Sequence, residues 1–464
     1  MSPRPAPAAP AADPSAAARP LLRQPAYLWW LASDTSSAFG LALQSFAVPL
    51  LALYLTDSPA QAGLIAAIGQ VGRVLAIVPG GVLADRHDRR RLMVVGGILG
   101  ALLAGAVAGF HAAGLLGFWL LTALNLLINM RQGLLGAAGN AALKNVVDEA
   151  RLGSALAANQ GRDAAIALSG GPAGGLLMAL GQAFPFAASA LAHLTSALAA
   201  LCIRADLRPR TDDAGAGPGR DPAAALPGTG VVRAYLHEAR QGFVWLLRRG
   251  DLRGVAIVST VINLGFNAGI TTIVFGLQQG GRSPATIGWV SAAIGVGMLT
   301  GAVAAPALVR RFRTGRLAAA GLVLASLSIA ATPFAVTLPE PASVPVLLGV
   351  LAAGTFGIPA VNAGLLGYFM AAVPSSLMGR ASSALDLMAM GAIPFAPLIA
   401  GFGYAALGWS GALLVSAGIC AAAALMALGN RGLRSLPGPA RWGEHAAAMS
   451  AGSAPAGSAP AGRP

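Results

Sequence analysis

The sequence predicts an all-α membrane protein with twelve transmembrane helices in two six-helix bundles. Three observations carry that prediction. Of the 464 residues, 56% are hydrophobic and only 10% are charged, against roughly 25% charged in a soluble domain. The apolar residues fall in long blocks, with a mean hydropathy of +0.68. Each block supplies the ~20 residues that cross ~30 Å of hydrocarbon, where the backbone must close its own hydrogen bonds and is therefore helical.

The spans are placed at about 27–55, 60–84, 92–110, 115–141, 155–180 and 183–203 in the first half. The second half follows at about 254–278, 286–309, 317–338, 344–371, 381–407 and 409–430. The loops support this count. With a cytoplasmic N-terminus, the inner loops carry Arg86, Arg89, Arg90, Arg91, Lys144, Arg151, Arg310, Arg311, Arg313, Arg316, Arg380, Arg431 and Arg434. The outer loops carry Asp57, His111, Glu340 and one arginine, Arg282. This asymmetry holds phase along the whole chain and predicts an even helix count with both termini cytoplasmic.

The division into domains follows. Residues 1–24 read as a disordered N-terminal tail with no cleavable signal, because the first apolar block is too long for one. Residues 25–204 form the N-terminal bundle and 254–430 the C-terminal bundle. Between them, 205–253 form a cytoplasmic linker, Pro-, Gly- and Asp-rich at first. Its segment 231–249, VVRAYLHEARQGFVWLLRR, has the helical spacing of an amphipathic surface helix or of a plain linker helix. Residues 431–464 end in low-complexity GSAPAGSAPAGRP and read as a disordered tail.

The net charge of +14 is almost wholly arginine, Lys144 being the only lysine. The basic residues lie between apolar blocks rather than on one soluble patch, so they read as topology signals and contacts to anionic lipid, not as a nucleic-acid surface. Cys202 and Cys420 sit in or beside separate apolar blocks and suggest no disulfide. The excess of Ala, Gly, Pro and Arg points to a GC-rich bacterial source, and so to the cytoplasmic (inner) membrane. No Gly-Lys-Ser/Thr loop, HExxH, Cys-x-x-Cys or Gly-x-Ser-x-Gly is present, which argues against a nucleotide motor, an enzyme, a metal site or a cofactor. The stretch Gly295–Gly301 lies inside an apolar block and reads as helix packing. Energy would then come from an ion gradient or from the substrate's own.

The sharpest motif is Gly81-Val-Leu-Ala-Asp85-Arg86-His-Asp-Arg89-Arg90-Arg91 at the inner end of the second span. It resembles the loop signature G-x-L-A-D-R-x-G-R-R of the major facilitator superfamily, with Asp88 where glycine is usual. The resemblance covers roughly residues 25–430. It implies the major facilitator fold, a small-molecule substrate and alternating access, with a monomer as the default. In this sequence it further implies that Asp85 pairs with Arg89 and faces the start of the eleventh span near Arg380, a latch favouring the inward-closed state. The alternative is a solvated charge cluster that only fixes topology.

A second motif, Gly170-Gly171-Pro172-Ala173-Gly174-Gly175, resembles the G-P-x-x-G-G antiporter motif of drug-exporting facilitators, one residue short. Together with Asn159-Gln160-Gly161-Arg162-Asp163 it resembles the branch of bacterial drug and macrolide exporters that includes siderophore exporters. The alternative is a small-residue packing seam.

Charges inside the bilayer cost at least ~2.5–3.5 kcal/mol each and so should face a cavity or a partner. The candidates are Asp34, Arg73, Arg131, Arg162, Asp163 and Asp386. The resemblance implies that spans 1, 4, 7 and 10 line a central cavity. Asp34 is then the proton-binding carboxylate, or alternatively half of a permanent ion pair with Arg73 or Arg131. The uncharged candidates are Gln44, Asn125, Asn129, Gln132, Asn263, Asn267 and Asn362, read as cavity lining or as interhelical hydrogen bonds. The expected activity is proton-coupled export of a small organic molecule, with siderophore export, metabolite import or a non-transporting sensor as alternatives.

Overall fold

A computed structural model describes residues 21–208, 240, 242–374 and 377–452. The N-terminal half contains α1 (Pro25–Thr56), α2 (Pro59–Arg86), α3 (Arg89–Ala112), α4 (Phe118–Leu135), α5 (Ala137–Val146), α6 (Glu149–Leu180) and α7 (Phe184–Leu201). The C-terminal half contains α8 (Gly250–Gln279), α9 (Pro284–Arg311), α10 (Thr314–Thr337), α11 (Ser343–Phe356), α12 (Ile358–Ala372), α13 (Met378–Ala392) and α14 (Phe395–Gly429). A short α15 (Trp442–Gly452) follows.

Among the described residues, ten stretches are long and apolar enough to cross a bilayer. One of them, Arg380–Gly429, runs for 50 residues, twice what a crossing needs. It turns back at Gly408, whose φ of 70° only glycine adopts without strain. It therefore counts as two crossings. The remaining crossing is α4 with α5, whose apolar run is diluted by Asn125, Asn129, Arg131 and Gln132. The described residues thus make twelve crossings, and the chain is a multi-pass membrane protein. The fourth and tenth crossings are each broken, at Gly136 between α4 and α5 and at Gly357 between α11 and α12.

Local chemistry sets the tight turns. Pro59 stands at the start of α2 behind Ser58, whose hydroxyl accepts from the Gln61 amide; Ser283 and Pro284 repeat the arrangement at α9. These are the N-cap and first-turn preferences of Ser and Pro. Asp88 caps α3, its carboxylate accepting from the Arg90 amide at 2.9 Å. The departure from glycine at this position therefore has a structural role.

Three buried apolar clusters show how the halves are arranged. One is shared: Leu50, Leu51 and Ile65 of the first half pack with Ile273, Phe275, Ile287 and Leu413 of the second. It lies at the end remote from the arginine-rich loops. At the arginine-rich end each half has its own core. The first is built on Tyr27, Trp30, Leu92 and Leu143. The second is built on Leu252, Val255, Tyr368 and Phe369. The halves are therefore closed together at one end and parted at the other. Leu75 at 71% and Val303 at 79% exposure show the apolar outer surface expected against lipid.

Most of the expected linker, including residues 231–239 and 241 of the amphipathic segment 231–249, lies outside the described residues, as do residues 1–20 of the N-terminal tail and 453–464 of the C-terminal tail. Residues 431–452, placed by composition in the disordered tail, are ordered and packed on the C-terminal half. Trp442 explains why. Its ring fits over Gly367 of α12, 2.5 Å from where a Cβ would stand. Its Nε1 donates to Thr314 Oγ1 and to the Pro437 carbonyl, both at 3.1 Å. Beneath it, Arg249 and Asp251 form a buried ion pair at 2.8 Å, and the Tyr368 hydroxyl donates to Asp251 at 2.6 Å.

Candidate functional site

The candidate site is a cavity of about 250 Å³ at the arginine-rich end of the N-terminal half. Ser33, Asp34, Ser37 and Leu41 of α1 line one wall, with Gly96 and Gly97 of α3, Arg131 and Gln132 of α4, Gly139 and Asn140 of α5, Arg162 and Asp163 of α6, and Ser196 of α7 around it. Asp34, Ser37 and Leu41 fall at i, i+3 and i+7, one face of a helix. Glycine on α3 lets the neighbours close in. A Cβ at Gly100 would lie 2.8 Å from His193 and 3.1 Å from Arg131 Nη1. Gly97 admits Ala197 of α7 just as closely, at 2.8 Å.

Asp34 forms an ion pair with Arg162 at 2.7 Å. Arg162 also holds Asp163 at 2.7 Å through the same nitrogen, Nη2. Its guanidinium lies 5.8 Å over the Trp30 ring, and the Trp30 Nε1 donates to the Gly139 carbonyl. The anticipated partners of Asp34, Arg73 and Arg131, are thus replaced by an arginine of α6. Arg73 is half-buried on α2 and has no ion-pair partner among the described residues. Arg131 is 6% exposed; Nη1 donates to the Gly96 carbonyl at 3.0 Å and Nη2 lies 3.5 Å from His193 Nε2, while Nε has no partner. Asp386 is exposed on α13 and stands apart from this cluster.

The uncharged candidates divide. Gln132 lines the cavity. Gln44 lies one turn beyond Leu41 on the same face of α1, 2% exposed, with both amide atoms unpartnered. Asn125 and Asn129 instead pack across Gly69 of α2, Asn125 donating to the Ile65 carbonyl at 2.9 Å and Asn129 back to Asn125. Asn267 donates to the Asn263 carbonyl within α8, and Asn362 is exposed on α12. The cavity is built by the N-terminal half alone, rather than shared between the bundles.

The loop motif is open in this structure. Asp85 and Arg86 are exposed, and Asp85 has no polar partner among the described residues. Arg89 is buried and turned the other way: Nε donates to the Ala84 carbonyl and Nη1 to Asn145 of α5. Arg90 donates to the Leu201 carbonyl at the end of α7, and Gly81 has free space around it. The expected Asp85–Arg89 latch is unmade, as parted halves at this end require. The α6 motif sits at the closed end. Gly171 and Gly175 face Gly288, Ser291 and Pro284 of α9, Gly174 faces Phe46 of α1, and Pro172 lies between them.

Sequence reasoning passed over four contributors: Trp30, Ser33, His193 and Ser196. The Ser33 hydroxyl donates to the Ser196 carbonyl at 2.9 Å, and His193 is fully buried. A lone histidine in an apolar span was the signal available.

Two bundles of six crossings, parted at one end and holding buried charge at the parting, define a membrane carrier of the transporter type. The chain belongs to the Major Facilitator Superfamily, whose family model matches residues 33–280. No curated protein matches the chain. Solved structures are similar in fold. A bacterial homologue of the iron transporter ferroportin, in an inward-facing state, superposes with a TM-score of 0.61 at 17% identity, covering 89% of this chain and 99% of that one. A point mutant of the nucleoside transporter NupG gives 0.60 at 14%, covering 87% and 100%. The xylose transporter XylE from E. coli, in an inward open conformation, gives 0.61 at 13%, covering 87% and 95%.

Proposed function

We propose that this chain exports a small organic molecule across a bacterial inner membrane in exchange for protons, as a monomer with both termini cytoplasmic. The observation that carries the reading is the Asp34–Arg162–Asp163 cluster. A carboxylate held by one arginine, on a cavity wall inside the membrane-spanning bundle, can exchange its charge for a proton at a place that alternating access exposes to each side. Protonation removes one of the two anionic partners of Arg162 and leaves the other, so the cluster has two arrangements to switch between. With the arginine-rich end cytoplasmic, the state seen here loads substrate and releases the proton inside. The small-residue contact of α6 on α9 supports the resemblance to drug-exporting facilitators. Siderophore export is the alternative, and it would need a larger chamber than this cavity of about 250 Å³.

The test is flux into inverted vesicles under an imposed pH gradient, across a panel of small compounds. Asp34→Asn inserts normally and loses gradient-driven uptake. Coupled uptake at the wild-type rate in that variant removes Asp34 from the mechanism.

A further inference from the structure

The transport reading leaves Arg131 unexplained. This guanidinium is buried, and among the described residues no carboxylate comes within ion-pair distance of it. It sits in an apolar bundle where a charge costs at least ~2.5–3.5 kcal/mol. The Gly96 carbonyl and the His193 ring are neutral acceptors that leave Nε unpartnered. His193 itself has an unpartnered Nδ1 and is 0% exposed. Gln44, on the same face of α1 as the cavity wall, has both amide atoms without partners. These groups are poorly satisfied by the protein alone, and buried polar groups are normally satisfied.

The charges on the wall sharpen the point. Asp34 and Arg162 cancel each other across 2.7 Å. Asp163, 58% exposed, accepts from Arg162 as well, at 2.7 Å. Both carboxylates of the lining are thus engaged by Arg162, which leaves Arg131 as the lining guanidinium without a carboxylate partner. A single guanidinium matches a single carboxylate, which its planar fork receives on two parallel N–H bonds. A dianion would overshoot. The volume, about 250 Å³, lies below the ~300–1,000 Å³ of pockets for drug-sized ligands and fits a compact acid.

We infer that this cavity seats the carboxylate of a small organic monoacid, anchored by Arg131 beside the Asp34–Arg162 pair. That the acid is also carried across the membrane rests on the proposed function above; its binding does not.

The full-length chain in lipid nanodiscs is titrated near neutral pH with benzoate against benzamide and with hexanoate against hexanamide, read by thermal unfolding. Each acid binds roughly tenfold or more tightly than its amide, the difference a charge-assisted pair supplies. Arg131→Gln abolishes the preference, and Arg131→Lys keeps part of it. Equal binding of acid and amide by the wild-type chain overturns the inference, and so does an undiminished preference in Arg131→Gln. Should Arg131→Gln fail to fold, the wild-type acid–amide comparison and the Arg131→Lys variant decide. The two readings fail separately. Acid preference without gradient-driven flux sinks the transport reading, and flux without acid preference sinks the carboxylate seat.

Discussion

A methyl group added at Gly288 should turn the carrier to face the other side of the membrane. In the structure Gly288 of α9 abuts Gly171 of α6 where the halves close together. A Cβ at Gly288 would stand 2.5 Å from the Gly171 carbonyl oxygen and 3.2 Å from Pro172 Cα. Carbon–oxygen contacts of this kind rest at ~3.3–3.6 Å, so Gly288→Ala must separate the two backbones by about 1 Å. Both obstacles are backbone, which cannot rotate away. Overpacking of this sort costs about 1–3 kcal/mol. The cost falls on the state with this seam closed, because alternation parts the two helices there. It translates to a roughly 5–150-fold shift in the balance of states. The assay is spin-label distance between Ala113→Cys and Ala342→Cys, exposed positions on the loops of opposite halves at the closed end, with Cys202 and Cys420 replaced. Gly288→Ala should lengthen the mean distance and populate a longer component. A folded variant with an unchanged distance distribution would show that the α6–α9 seam does not hold this state.

Further outcomes follow from particular contacts. Arg249→Met strips the buried Asp251 carboxylate of its cation and should cost about 3–5 kcal/mol, seen as a lower unfolding temperature of the purified chain; an unchanged temperature would show the pair to be dispensable. Asp88→Ala loses the cap of α3 and should cost about 0.5–2 kcal/mol, whereas Asp88→Gly, the usual residue at that position of the motif, should cost only a few tenths. At the closed end, the Ser343 hydroxyl and then Arg282 hold the Glu340 carboxyl below the usual carboxylate range. The stabilisation is present above that range and lost as pH falls through the depressed value. The gap in unfolding temperature between wild type and Glu340→Gln should therefore narrow on acidification, and a gap that widens would reverse the assignment.

The twelve crossings were legible because hydropathy and arginine placement are one-dimensional signals, each readable within a single span. Pairings between spans were not. Asp34 could be identified as a buried charge, yet its partner depends on how α1 and α6 are rotated about their axes, and nothing in either span records that. The same applies to Asn125 and Asn129. Their four-residue spacing placed them on one face, but Gly69 decides that the face meets α2 rather than the cavity. The breaks at Gly136 and Gly357 were hidden because these glycines are embedded in apolar runs like many unbroken ones. The ordered segment up to Gly452 was hidden by its alanine- and glycine-rich composition, although Trp442, an aromatic amid small residues, was the residue that anchors it.

Trp442 also has a practical side. Its ring rests on α12, the limb of the tenth crossing that follows Gly357. Any cargo fused behind Gly452 therefore hangs from a segment packed directly on a membrane crossing. An affinity handle or reporter placed there would load the limb and bias turnover, whereas one placed ahead of α1 would leave it unburdened.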